Sequence, residues 1–288
     1  PKASDVSEMI KRLDYLSFEK EHVEELKVVN SGFSLRSDTD DIASFVTFLD
    51  PKHSGVSDTA VAQVMFGLSQ LPRTYRHQLE NAGYKIVVAP TVLDALPELA
   101  KAAPRGYSDG SSWHATNGAF DRDSKKIVVG EKCNAAAYGG QLVEGPLDET
   151  AQHECGHAYD AFLGAQMAAQ LSGDATPDFS HSKKFADAYD KDVAAVPADL
   201  RAKLAYYLQP GNAGKEELFA QMFVLFFGHQ PEPGSPRESF QIAFPNVLKL
   251  LEDSRKADPD FERLQALYEE RLRENTLTPE QRAKELIK

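Results

Sequence analysis

His153-Glu154-Cys155-Gly156-His157 is the stretch of this chain whose residue types and spacing can do chemistry. On a helix, two histidines four apart differ by about 40° of rotation and one turn of rise, so both imidazoles reach one ion from the same face. Glu154 stands about 100° round from His153, near enough to hold a water beside that ion without binding the ion itself. Two neutral imidazole ligands, a general-base carboxylate and an open metal position make the pattern of zinc-assisted hydrolysis.

A helix over residues 147–170 must carry that pattern. Asp148 is expected to cap it, and Glu149 favours its first turn. Ala151, Cys155, Ala158, Phe162 and Ala165 lie broadly opposite the histidines and supply a core face, which makes Cys155 a core thiol rather than a ligand. Gly156 and Gly164 are expected to keep bulk off the histidine side, leaving room for metal and substrate. Cys133 and Cys155 have no zinc-knuckle spacing, and the sequence leaves open whether they pair.

A catalytic zinc takes three protein ligands, so a third is required. A metzincin would have histidine at position 163, where this chain has Leu163. Asp160 shares the histidine face one turn on, and a carboxylate there suits either the orientation of a ligand imidazole or a structural role. His181 lies in a polar loop and reads as an exposed histidine. The stronger candidates open the run 215–227, which after its first turn is apolar on nearly all sides and so predicts a buried helix. A carboxylate entering such surroundings needs a cation or hydrogen-bond donors. Glu216 and Glu217 point about 100° apart there, so only one faces the metal. Glu217 shares a stripe with Ala220, Gln221, Val224 and Gly228. Glu216 shares one with Phe219, Phe223 and Phe227, a core-packing face, and is expected at the exposed helix start.

The rest of the chain must supply the frame. Its 288 residues are enough for a large core. The net charge of −12, with no basic cluster, excludes nucleic acid as the main partner and is compatible with a basic peptide. No apolar run reaches membrane-spanning length, and no signal peptide is seen at the N-terminus of the sequence. Residues 1–48 are polar and mostly helical in pattern. Helices are predicted after Ser57, a cap, and over 73–81 and 93–102. Strands are predicted over 84–88, 118–121 and 126–130, with a Gly- and Ala-rich approach, 135–146, to the histidine helix. Further helices follow over 183–193, 198–208, 215–228, 237–254, 258–274 and 279–287, with Ser235-Pro236-Arg237-Glu238 as a capping box. The resulting division is a helical accessory segment at 1–55, a catalytic domain at 56–230 and a helical appendage at 231–288. The fold class is α+β and helix-rich, with a small sheet ahead of the histidine helix.

Several of these segments together resemble the anthrax lethal factor-like zinc peptidases, a family that includes the Pro-Pro endopeptidases. The shared pattern covers residues 70–228. It comprises Gly83-Tyr84-Lys85-Ile86, Pro104-Arg105-Gly106-Tyr107 leading to Trp113, Gly118 before a strand, His153 to Asp160, Ser180-x-Ser182 followed by Phe185, and Glu217-Leu218-Phe219-Ala220-Gln221-Met222-Phe223. The resemblance implies a zincin-like fold, with a small mixed sheet, an active-site helix and a helical subdomain bearing the third ligand. It implies one Zn²⁺ per chain, held by His153, His157 and Glu217, and peptide-bond hydrolysis with Glu154 as general base. The family has a tyrosine shortly before the ligand glutamate whose hydroxyl faces the developing oxyanion. Tyr207 is the residue that fits, across a connection, 208–216, longer than the family pattern. Gln221 stands where the family has a glutamate. Substrate is expected to lie extended along Gly118–Phe120 or residues 126–130; Trp113 reads equally as a cleft residue or a core residue, and His114, the other cleft candidate, reads more readily as a solvated loop residue. The resemblance favours a secreted or delivered protein with a peptide or protein substrate; oligomeric state stays open. The alternative is a catalytically inactive zinc-binding toxin or effector module acting through protein–protein contacts. An intact Glu154 weighs against it, because a structural zinc site has no use for that base.

Overall fold

Two runs rich in β-branched residues, Lys85–Ala89 and Lys126–Gly130, form the centre of the sheet in the computed structural model of the chain. The structure describes residues 42, 45–48, 55–71, 73–102, 104, 112–134, 142–170, 176–227 and 236–256. In chain order the strands and helices are β1 (Val46–Phe48), α1 (Asp58–Gln70), α2 (Arg73–Asn81), β2 (Lys85–Ala89), α3 (Val92–Ala95), β3 (Gly118–Asp121), β4 (Lys126–Gly130), β5 (Lys132–Asn134), β6 (Leu142–Glu144), α4 (Leu147–Gln170), α5 (Lys183–Ala195), α6 (Ala198–Arg201), α7 (Ala213–Phe227), α8 (Pro236–Ala243) and α9 (Pro245–Lys256). The fold is α+β and helix-rich, with a small mixed sheet.

The sheet order is β1-β2-β4-β3. β1, β2 and β4 run parallel, and β3 closes the edge antiparallel to β4, with Gly118 opposite Val129 and Asp121 opposite Lys126. Successive side chains of a strand point to opposite faces, so an unbroken apolar run must be covered on both. Ile86, Val88, Ile127 and Val129 accordingly join the large core with residues of α1, α2 and α4. Val87, Ala89 and Val128 turn to the other face, where Val92, Ala95, Leu96 and Trp113 cover them. β5 and β6 form a separate antiparallel ribbon before α4; β5 ends just ahead of the Gly- and Ala-rich approach 135–146, and β6 falls within it. β1 lies in a region whose pattern is helical. Its Val-Thr-Phe run pairs with β2 instead.

Ser57 caps α1 as expected, its hydroxyl accepting the Ala60 amide at 3.1 Å. Prolines account for the helices that the sequence pattern draws too long. Pro97 divides the stretch after Thr91 into α3 and a 3₁₀ turn, Pro97–Lys101. Pro245 divides 237–254 into α8 and α9. Asp192 of α5 caps the start of α9 by accepting the Asn246 and Val247 amides at 3.0 and 2.9 Å. Residues 198–208 form α6 and then a 3₁₀ turn, Ala205–Leu208. Phe240 of α8, Phe244 between the two helices, and Val247 and Leu250 of α9 belong to the same core as the sheet. Both cysteines are buried and free, so they do not pair. The helices predicted over 258–274 and 279–287, and the segment 1–41, lie outside the described residues. Among the described residues, no helix is long and apolar enough to cross a membrane.

Candidate functional site

α4 begins at Leu147, so Asp148 stands with Glu149 inside its first turn rather than before it as a cap. The helix is packed into the core through Ala151, Cys155 and Ala158, and burial pushes the Cys155 thiol far above its ordinary range. The two glycines do not open space for a ligand, as their position on the histidine side led one to expect. A Cβ on Gly156 would stand 2.8 Å from Ala220 Cα and 2.9 Å from its carbonyl oxygen. One on Gly164 would stand 2.7 Å from the Asp178 backbone. Each glycine admits a neighbouring backbone. At Gly156 that neighbour is α7, and the close approach brings Glu217, three residues before Ala220, level with the histidines.

His153 Nε2 lies 3.1 Å and His157 Nε2 3.5 Å from the same atom, Glu217 Oε2. The two rings are nearly perpendicular, with centroids 4.9 Å apart. Three donors held about 2.0–2.1 Å from a tetrahedral ion stand about 3.3 Å from one another, so this donor set fits a zinc ion. Without a metal, the imidazoles and the carboxylate hold one another's charge. Burial works to raise the Glu217 carboxyl, but the hydrogen bonds from His153 and His157 outweigh it and hold the group well below the carboxylate range. Burial works to lower the His157 ring, and its Glu217 partner outweighs that too, pushing it up to about 9. Glu154 is buried at 8 % exposure. Burial raises its carboxyl, with the charges of His157 and His153 opposing.

These groups open on a cleft of about 420 Å³, walled on one side by β3 and on the other by α4 and the start of α7. Trp113 lines the cleft while its ring also packs on the second core. His114 is exposed and does not line it. Of the adjacent tyrosines it is Tyr206 that lines the cleft. Tyr207 turns instead onto Phe240, with centroids 4.8 Å apart, and its hydroxyl donates to Gln221 Oε1 at 3.2 Å. Gln221 in turn donates to Glu149 at 3.5 Å, tying α7 to the first turn of α4.

Asp160 does not orient an imidazole. It accepts the Ser180 amide at 2.7 Å and the Ser180 hydroxyl at 2.5 Å, pinning residues 176–182 to α4. Burial and the Asp178 carboxylate push its own carboxyl up to about 8, with the Ser180 hydrogen bonds pulling the other way. The pinned segment carries a group that the sequence pattern does not reveal. Arg122 donates to Asp178 at 2.5 Å and to the Pro177 carbonyl at 2.6 Å. His181 Nε2 lies 3.5 Å from Asp178 Oδ2 and 2.7 Å from Glu216 Oε1. Glu216, expected at an exposed helix start, is therefore buried at 7 % exposure and held by His181. The usable signal in the sequence is its stripe, shared with Phe219 and Phe223, which points into the core. Asp178, His181 and Glu216 also offer three donors within reach of one another, but Asp178 already bears the Arg122 guanidinium.

No protein-family model matches the chain, and no curated protein matches it in sequence. Among solved structures it is similar to a Pro-Pro endopeptidase from Paenibacillus alvei. The superposition covers 74 % of this chain and 98 % of that one, at 16 % identity and a TM-score of 0.48. A likeness at that level carries no chemistry with it. What the site can do rests on its own residues.

Proposed function

We propose that this chain is a zinc-dependent endopeptidase with a zincin-like centre. The observation that carries the reading is the meeting of His153, His157 and Glu217 around one point, next to a buried glutamate and under an edge strand. His153, His157 and Glu217 would hold one Zn²⁺, which when bound supplies Lewis acidity and brings the pKa of a water towards about 7. Glu154 would accept a proton from the attacking water and return it to the leaving amine. The burial that raises its carboxyl suits a base that must hand its proton on. β4 is paired on both sides, whereas β3 is the edge of its sheet and lines the cleft, so Gly118–Phe120 is where an extended peptide adds its backbone. Tyr206, which lines the cleft, would offer its hydroxyl to the developing oxyanion. Tyr207, the choice from sequence resemblance, is spent on Gln221. Nothing favours the inactive-module alternative, since a non-catalytic site has no need of a base beside its metal.

Glu154→Gln should leave zinc stoichiometry and fold unchanged and lower cleavage of a mixed peptide library by about 10²–10⁴-fold. Tyr206→Phe should lower kcat by about 10²-fold with little change in KM, and Tyr207→Phe should not. A Glu154→Gln enzyme with wild-type turnover would overturn the mechanism. The opposite ranking of the tyrosines would return the role to Tyr207.

A further inference from the structure

We infer that Gly118 is a positioning residue for Glu154: the missing side chain at the start of β3 is the space in which the carboxylate of the general base sits. The inference rests on the reading of Glu154 as that base. A Cβ built on Gly118 would stand 2.8 Å from both Cγ and Cδ of Glu154 and would also overlap its Oε1. Real side chains essentially never come that close, so one of the two partners must shift.

Neither backbone is free to do so. Gly118 pairs with Val129 across the β3–β4 ladder. Its predecessor Asn117 is clamped to the end of β4, its carbonyl accepting the Gly130 amide at 2.7 Å and its side chain donating to the Gly130 carbonyl at 3.0 Å. Ala119, the next residue, is buried in the second core. On the opposite side Glu154 stands between Ala151, Cys155 and Ala158, all core residues of α4. The conflict falls on the Glu154 side chain. Because Cγ and Cδ are both overlapped, moving the carboxylate tip alone does not relieve it. The χ angles must change, and the carboxylate swings away from the water it has to deprotonate. A displacement of about 1 Å in a catalytic group costs on the order of 10²-fold in rate.

The test is a pair of double-mutant cycles on the full chain. In zinc-loaded protein, Gly118→Ala should lower kcat by about 10²-fold while zinc stoichiometry and KM stay near wild type. In the Glu154→Gln background the same change should cost no more than about 2-fold, because the residue it acts through has already lost its function. A second cycle reads no activity. Gly118→Ala should lower Tm by about 3–8 °C in the otherwise native chain. With Glu154→Ala, which removes the overlapped atoms, it should lower Tm by less than about 1 °C. Equal losses in the two backgrounds of either cycle, or wild-type kcat in Gly118→Ala, would overturn the role. A wild-type chain that cleaves no peptide would overturn the endopeptidase reading alone, and the Tm cycle would still decide the contact.

Discussion

Glu216 and Glu217 are neighbours in sequence, both are shielded from solvent, and each meets histidine, yet the two groups they anchor are built differently. Around Glu217, two imidazole nitrogens converge on one carboxylate oxygen, and among the described residues its ion pairs are with these histidines. Around Glu216 there is one histidine, a second carboxylate in Asp178, and a guanidinium seated on Asp178 at 2.5 Å. Arg122 brings a permanent positive charge, which burial opposes and the Asp178 hydrogen bond secures. The Glu216 group therefore has its cation built in, and among the described residues the Glu217 group has none that is permanent. Lone pairs gathered on one point without a fixed cation are what a metal site requires. The same residue types with a cation supplied make a fastening between β3, the 176–182 segment and α7.

The largest effect that could break this comparison is on zinc affinity. Glu217→Ala should weaken zinc binding by several orders of magnitude and abolish cleavage, since it removes one of three protein ligands. Glu216→Ala should leave zinc stoichiometry at one per chain and instead lower stability by about 1–3 kcal/mol, the range for stripping a buried group of its hydrogen-bond partner. Metal analysis and chemical denaturation of the two variants side by side separate the roles. Zinc loss in Glu216→Ala comparable to that in Glu217→Ala would erase the distinction.

Part of this was legible in the sequence and part was not. The strands Lys85–Ala89 and Lys126–Gly130 stand out because both faces are apolar, and His153 and His157 because four residues make one turn. The phase of Glu217 also follows from its stripe of small residues. The stripe of Glu216 points into the core as well, but the partner that covers its carboxylate, His181, comes from 35 residues away and leaves no local signal. Arg122 is more remote still, 56 residues from Asp178. Tyr206 and Tyr207 could not be told apart because they sit in a 3₁₀ turn, where successive side chains diverge by about 120° and four residues are too few to show an apolar phase. The break before Pro245 was readable and calls for no tertiary information.

The next effect is on the fastening itself. Arg122→Met keeps most of the apolar stem but leaves the Asp178 carboxylate buried without its guanidinium. It should cost about 1.5–3 kcal/mol in denaturant unfolding, the range for hydrogen bonds to charged groups, with zinc stoichiometry unchanged. Asp178→Asn in the Arg122→Met background should recover part of the loss, because it removes the charge left uncompensated. No recovery would mean that Arg122 holds the segment through the Pro177 carbonyl rather than through Asp178.

The smallest effect is a proton count, and it sharpens the comparison further. In the zinc-free protein the His157 ring titrates near 9, against an ordinary 6.5. A ring raised in this way contributes stability that is fully present below about 6.5 and is lost as pH rises through about 9. The Glu217 carboxyl is shifted the other way, so its contribution is present above its ordinary 4.5 and is lost only as pH falls well below that. The pair therefore contributes its full stability in zinc-free protein between about pH 4.5 and 6.5, and it is dismantled from the alkaline side by loss of the imidazolium proton as pH rises through about 9. Zinc takes a neutral imidazole, so binding at pH 7 must expel that proton. Titration calorimetry in buffers of different ionisation enthalpy should report at least one proton released at pH 7, the imidazolium proton together with the fraction given up by a zinc-bound water. Glu216→Gln should leave the count unchanged, because its histidine is not among those that receive the metal. A count near zero at pH 7 would show that His157 and Glu217 do not pair as opposite charges, and the contrast with the Glu216 group would then rest on Arg122 alone.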